Sequence, residues 1–134
     1  RKNAAAYITA TPRGTGFNSS AVQNCSGLGG SNLDLCEWHN ALLGAAETKG
    51  TDKVGAMIGA RGCIYQATVP ASGVATTYSI VVAWQGLSST YPPDTTTASS
   101  AGQCGFGEYK NRDNVPTEEL HRVITLPIAM ADLL

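Results

Sequence analysis

Apolar and polar positions alternate most cleanly from Tyr78 to Gln85. Tyr78, Ile80, Val82 and Trp84 fall on one side, and Ser79, Val81, Ala83 and Gln85 on the other. The run Arg61-Gly-Cys-Ile-Tyr-Gln-Ala-Thr-Val69 precedes it, and Pro70-Ala71-Ser72-Gly73 separates the two. Two segments rich in β-branched and aromatic residues around a Pro/Gly turn predict a β-hairpin over 61–86. The Tyr78 side is large and apolar and needs a cover. The Ser79 side is smaller and more mixed, and is expected nearer to water.

A helical period appears upstream. Leu35, Trp38, Leu42, Ala45 and Ala46 recur at steps of three or four, while Glu37, Asn40 and Glu47 lie off that stripe. This predicts an amphipathic helix over about 31–47, capped by Ser31, with Asp34 in the first turn and Gly50 and Asp52 at its end. The helix is the obvious cover for the Tyr78 face, with Trp38 and Trp84 as anchors. Full burial of Trp38 would contribute roughly 2–3 kcal/mol. A third strand is expected over 120–128, where Arg122, Ile124, Leu126 and Ile128 alternate with Val123 and Thr125; Pro127 suits an edge or a strand end.

The remaining segments are connections. Residues 1–11 read as the tail of a helix stopped before Pro12. Residues 12–30 are rich in Gly, Ser and Asn, and 87–103 are rich in Ser and Thr with Pro92-Pro93; both read as surface loops. The expected architecture is one α+β domain over 1–134. It has a helical end at 1–11, a loop region with its helix at 12–60, and a sheet with a C-terminal loop region at 61–134. The sheet is antiparallel, of three or four strands. Leu35, Trp38, Leu42, Ile64, Tyr78, Ile80, Val82, Trp84, Ile124 and Leu126 are the expected core.

Composition narrows the class. Hydrophobic residues make up 43% of the 134, which argues for a folded chain. Charged residues are only 14%, about half the usual share, with Gly, Ala, Ser and Thr in their place. A net charge of −1 with no basic run gives little support to tight nucleic-acid binding. Cys25, Cys36, Cys63 and Cys104 include no Cys-x-x-Cys pair, so zinc is not indicated. Two disulfides and an oxidising compartment are expected instead. Four cysteines allow three pairings. The preferred one is Cys25–Cys36, tying a loop to the first turn of the helix, with Cys63–Cys104, tying the hairpin to the segment after the long loop. In the chain-entropy picture these are worth roughly 2–3 and about 4 kcal/mol.

No catalytic constellation emerges. Gly27-Leu28-Gly29-Gly30 lacks the spacing and the preceding strand of a phosphate loop. His39 and His121 have no Cys or carboxylate at the short spacing of a metal motif, and no Gly-x-Ser-x-Gly elbow accompanies them. Glu118-Glu119 read as solvated charge, and Asp94 lacks the alternating oxygen ligands of a calcium loop. Asn18-Ser19-Ser20 and Asn24-Cys25-Ser26 match the N-glycosylation pattern, which matters only where that machinery exists. No cofactor, metal or small-molecule substrate is expected.

Several motifs, in order, resemble the PilV-type minor pilins of type IV pili. Asn32-Leu-Asp-Leu-Cys-Glu-Trp38-His-Asn-Ala-Leu42 is similar to that family's Asp-Leu-x-x-Trp-x-x-x-Leu segment. Arg61-Gly62-Cys63-Ile64 resembles its Gly-Arg-Gly-x-Ile strand start, and Tyr78-Ser-Ile-Val-Val-Ala-Trp84 its Tyr-x-Val-x-Val-x-Trp strand. Arg1-Lys2-Asn3 resembles the end of its long first helix, and Arg122-Val-Ile-Thr-Leu126 its last strand. The resemblance is dense over 31–86 and absent from 12–30 and 87–117.

The resemblance implies a pilin-like fold, with this chain starting near the end of an apolar, membrane-inserted spine helix. It implies a non-enzymatic subunit, held in the bacterial inner membrane and periplasm before entering a cell-surface pilus. Expected partners are other minor pilins, the major pilin and a tip adhesin, in a complex that primes pilus assembly. Processing with N-terminal methylation, cell adhesion and twitching motility belong to the same implication. A type II secretion pseudopilin is the nearest alternative, and a secreted binding module using Tyr91 and its flanking loops is a more distant one.

Overall fold

A computed structural model describes residues 4–67, 75–111, 113–115 and 117–130. The expected turn at 70–73 lies outside them. The chain forms a 3-10 turn at Ala4–Tyr7, strand β1 at Arg13–Gly14 and a second 3-10 turn at Phe17–Ser20. Helix α1 follows at Ser31–Leu42, then short strands β2 (Thr48–Lys49) and β3 (Asp52–Lys53). The long strands are β4 (Arg61–Gln66), β5 (Thr76–Gln85) and β6 (His121–Met130), with a 3-10 turn at Ala101–Gln103 before β6. The architecture is α+β: one α-helix with a four-stranded antiparallel sheet ordered β1-β4-β5-β6, and a separate β2-β3 ribbon.

Residue pairing assigns the faces. Val82 lies opposite Gly62 on β4 and Ile124 on β6, while Ile80 lies opposite Ile64 and Leu126. These positions share one face with Tyr78, Trp84 and Ile128. Cys63, Val81, Ala83 and Val123 share the other.

Over β5 and β6 the expected roles of the two faces are reversed. Val81 and Ala83 are fully buried, in a cluster with Cys63, Cys104 and Tyr109. The C-terminal segment, polar in composition, folds over this face, tied to β4 by Cys63–Cys104. Small side chains at 81 and 83 let it approach closely. On the Tyr78 face, Tyr78, Ile80, Val82 and Trp84 are only half-buried, and Ile124 and Leu126 are 63% and 59% exposed. Of the expected core, Leu35, Leu42 and Ile64 are buried and Trp38 is half-buried.

The helix explains why. It packs on β1 and the adjoining end of β4, not on β5 and β6. Gly62 sets that contact: a methyl group there would lie 2.6 Å from Trp38 Cζ2 and 2.7 Å from Leu42 Cδ1. Trp38 therefore rests on the glycine backbone of β4.

The helix is also shorter than its period suggests. It ends at Leu42, and Gly44, at φ 68°, turns the chain where a Cβ would meet the Ala56 amide nitrogen at 2.5 Å. Gly50 instead turns the β2-β3 ribbon, at φ 66°. Ser31 is the first helical residue rather than the cap; Gly30 holds the cap position at φ 56°, with no side-chain capping bond. Of the expected helical tail at 1–11, residues 1–3 lie outside the described residues and Ala4–Tyr7 form a 3-10 turn, from which Thr9 continues along the β4 edge. There the Thr9 amide donates to the Ile64 carbonyl at 3.1 Å, and the Ile64 amide donates to Thr9 Oγ1 at 2.9 Å.

Candidate functional site

Two disulfides and two buried histidines fix the loops. Cys25 is bonded to Cys36, and Cys63 to Cys104, the pairing preferred above. His39, on the helix, has no solvent exposure. Its Nδ1 accepts the Gly14 amide at 2.9 Å, and its Nε2 donates to the Ala21 carbonyl at 2.8 Å. One imidazole thus ties the helix to both ends of the segment from β1 to residue 21. Asn40, one residue on, accepts the Gln23 amide at 2.8 Å and donates to the Gln23 carbonyl at 2.9 Å. These two side chains, with Cys25–Cys36, order a stretch that composition alone assigns to a plain loop.

His121 does the same for the C-terminal segment. Its Nδ1–H donates to Glu118 Oε2 at 2.6 Å, and its ring stacks on Tyr109 with centroids 4.4 Å apart. The other Glu118 oxygen accepts the Gly107 amide at 2.8 Å. Glu118 is buried, contrary to its reading as solvated charge, and sits at φ 58°. Burial pushes the His121 imidazole below its usual value. The Glu118 hydrogen bond and charge oppose that shift, while the Arg61 charge adds to it. The Cys104 backbone also opposes the shift, and Nε2 is buried without a hydrogen-bond partner among the described residues. The buried Tyr109 hydroxyl donates to the Gly59 carbonyl at 2.9 Å, and desolvation is the main cause raising its pKa. Arg61 lies over the Tyr109 ring at 5.2 Å and pairs with Glu108 at 2.8 Å. The local pattern of the sequence gives Tyr109 no partner, because Gly59 is 50 residues away and only the fold joins them; the Glu118–His121 pair is local, but it forms in a turn before β6 where a strand reading sets the two side chains apart.

These arrangements hold the fold. Among the described residues, no three His, Cys, Asp or Glu side chains are grouped to hold a metal ion. No described helix is long and apolar enough to cross a membrane.

The feature that remains is the open side of the sheet. Ile124, Leu126 and Ile128 of β6 stand in a row beside Tyr78, Ile80 and Val82 of β5. At one end of this row, Ala4 and Tyr7 join Ile64, Tyr78, Ile80, Ile128 and Met130 around an apolar hollow of about 210 Å³. The Tyr7 hydroxyl donates to Asp34 at the start of the helix, which raises the Tyr7 pKa and holds the 3-10 turn in place. The first described residues therefore lie against the uncovered apolar face. The sequence-expected core residues Tyr78, Ile80, Val82, Ile124 and Leu126 are brought together there as a surface, while Leu35, Leu42 and Ile64 are buried and Trp38 is half-buried.

The chain has no significant match to a protein-family profile, to a curated protein or to a solved structure.

Proposed function

We propose that this chain is the globular part of a PilV-type minor pilin, a non-enzymatic subunit of the complex that primes type IV pilus assembly and supports adhesin display. The observation that carries the reading is the apolar row on β5 and β6, with Ala4–Tyr7 packed at its end. A subunit whose preceding spine helix lies on its sheet needs such a face at that place, because a helix buries its apolar stripe only against another apolar surface. The α+β architecture, the two disulfides and the ordered motif resemblance over 31–86 support the same reading. On it, the spine anchors the subunit in the bacterial inner membrane, facing the periplasm, until it joins the pilus. Other minor pilins and the major pilin are the contacts.

Deletion of the gene in the source bacterium is expected to abolish or sharply reduce surface pili, with the full-length subunit co-purifying with other minor pilins. Normal piliation with lost protein secretion would transfer the reading to a type II secretion pseudopilin.

A further inference from the structure

A second concave surface lies around Arg61. It is a groove of about 700 Å³ between the segment after residue 10 and the C-terminal segment, lined by Phe17, Asn18, Arg61, Gln103, Phe106 and Glu108 among others. Its chemistry is mixed by design of the fold rather than by leftover space. Arg61 is held at the base by the Gly59 carbonyl at 3.2 Å, by Glu108 at 2.8 Å and by the Tyr109 ring. Gly105, at φ 82°, leaves room for this arrangement, since a methyl group there would lie 2.9 Å from Arg61 Cδ. The Glu108 side chain is 57% exposed, so its carboxylate keeps lone pairs for a ligand. Gln103 uses its amide N–H₂ on the Thr95 carbonyl at 2.7 Å, which fixes the side chain. Phe106 presents a ring that is 55% exposed. Phe17 is fixed edge-on to His39 and lies under the Arg13 guanidinium at 4.2 Å. Asn18 lines the groove at φ 44°, and Ser19 and Ser20 follow it at 59° and 57°.

We infer that this groove binds a neutral saccharide. The charged lining residues are Arg61 and Glu108, and their charges cancel. An anionic ligand would meet the exposed carboxylate at the mouth. A purely apolar one would strip water from the exposed Glu108 carboxylate without offering it a donor, which is costly. Vicinal hydroxyls satisfy planar amide, carboxylate and guanidinium groups two at a time. The C–H face of a sugar ring covers an exposed phenyl ring. The inference is independent of the pilus reading and lies apart from the apolar face.

The test uses the 134-residue chain with maltohexaose, cellohexaose, chitohexaose and mannohexaose. A heparin hexasaccharide and a single-stranded oligodeoxynucleotide serve as anionic probes. Binding is followed by NMR shift perturbation. At least one neutral probe is expected to bind with Kd in the millimolar range or tighter and to shift Gln103 and Phe106 signals. Phe106→Ala should weaken it about tenfold, and Glu108→Gln should weaken it too. Tyr91→Ala, outside the groove lining, should leave it unchanged, and Phe106→Ala and Tyr91→Ala should keep the parent thermal midpoint. The inference is overturned by the absence of neutral-sugar binding up to about 10 mM, by undiminished binding in Phe106→Ala, or by binding of the anionic probes alone.

Discussion

Single residues decide how closely the layers of this molecule meet. Gly62 lets Trp38 and Leu42 lie directly on the backbone of β4. Gly62→Ala forces those side chains aside, and overpacking of this kind costs about 1–3 kcal/mol; chemical denaturation should show the loss with an unchanged slope. His39 is fully buried with both ring nitrogens bonded. Its replacement by Ala leaves the Gly14 amide unpaired beside a new cavity, a loss of about 2–4 kcal/mol on the same measurement. His121 gives a pH dependence. Its folded pKa lies below the usual value because burial disfavours the charged ring. Its contribution is therefore complete above the unfolded value near 6.5 and is lost as pH falls through the folded one. Thermal midpoints should drop on acidification below about pH 6, and His121→Gln should flatten that part of the profile. An equal slope in the variant would remove His121 as the cause.

At the level of elements, the C-terminal segment from residue 87 to β6 behaves as a layer of the core. Cys104 and Tyr109 close over Val81, Ala83 and Cys63, and Arg122 bonds the Ser88, Glu119 and His121 carbonyls at its base. The Cys63–Cys104 link spans 41 residues. Its loss in the double Ala variant should lower stability by about 4 kcal/mol in the chain-entropy picture. Protease cleavage within 87–117 should quicken in that variant, and unchanged cleavage would mean that the segment is held without the bond. The three long strands were legible because their alternation is local. The role of this segment was not, because Ser/Thr-rich composition describes a loop equally well whether it lies in solvent or against a sheet. The helix end was misplaced for a related reason. The apolar stripe continues to Ala46, yet the chain turns at Gly44 to clear Ala56, a neighbour twelve residues on.

For the whole molecule, the decisive property is the apolar row left open on β5 and β6. Leu126 is 59% exposed there, so Leu126→Lys should change stability by no more than about 0.5 kcal/mol. The same change should reduce concentration-dependent self-association of the chain in sedimentation velocity, since exposed apolar patches of this kind drive association. In the full-length subunit it should impair piliation if a spine helix lies on that face.

The sequence by itself determined the three long strands, the presence and approximate start of the helix, and the disulfide cysteines. Periodicity and residue chemistry act within a few residues of one another. It also determined that the Tyr78 face is apolar. Only the tertiary structure decided which face of the sheet is covered. That choice rests on steric fit between distant parts: Gly62 admits the helix at one edge, and Val81 and Ala83 admit the C-terminal segment on the opposite side. The larger face is left open over β5 and β6 because the helix covers only its β1–β4 edge.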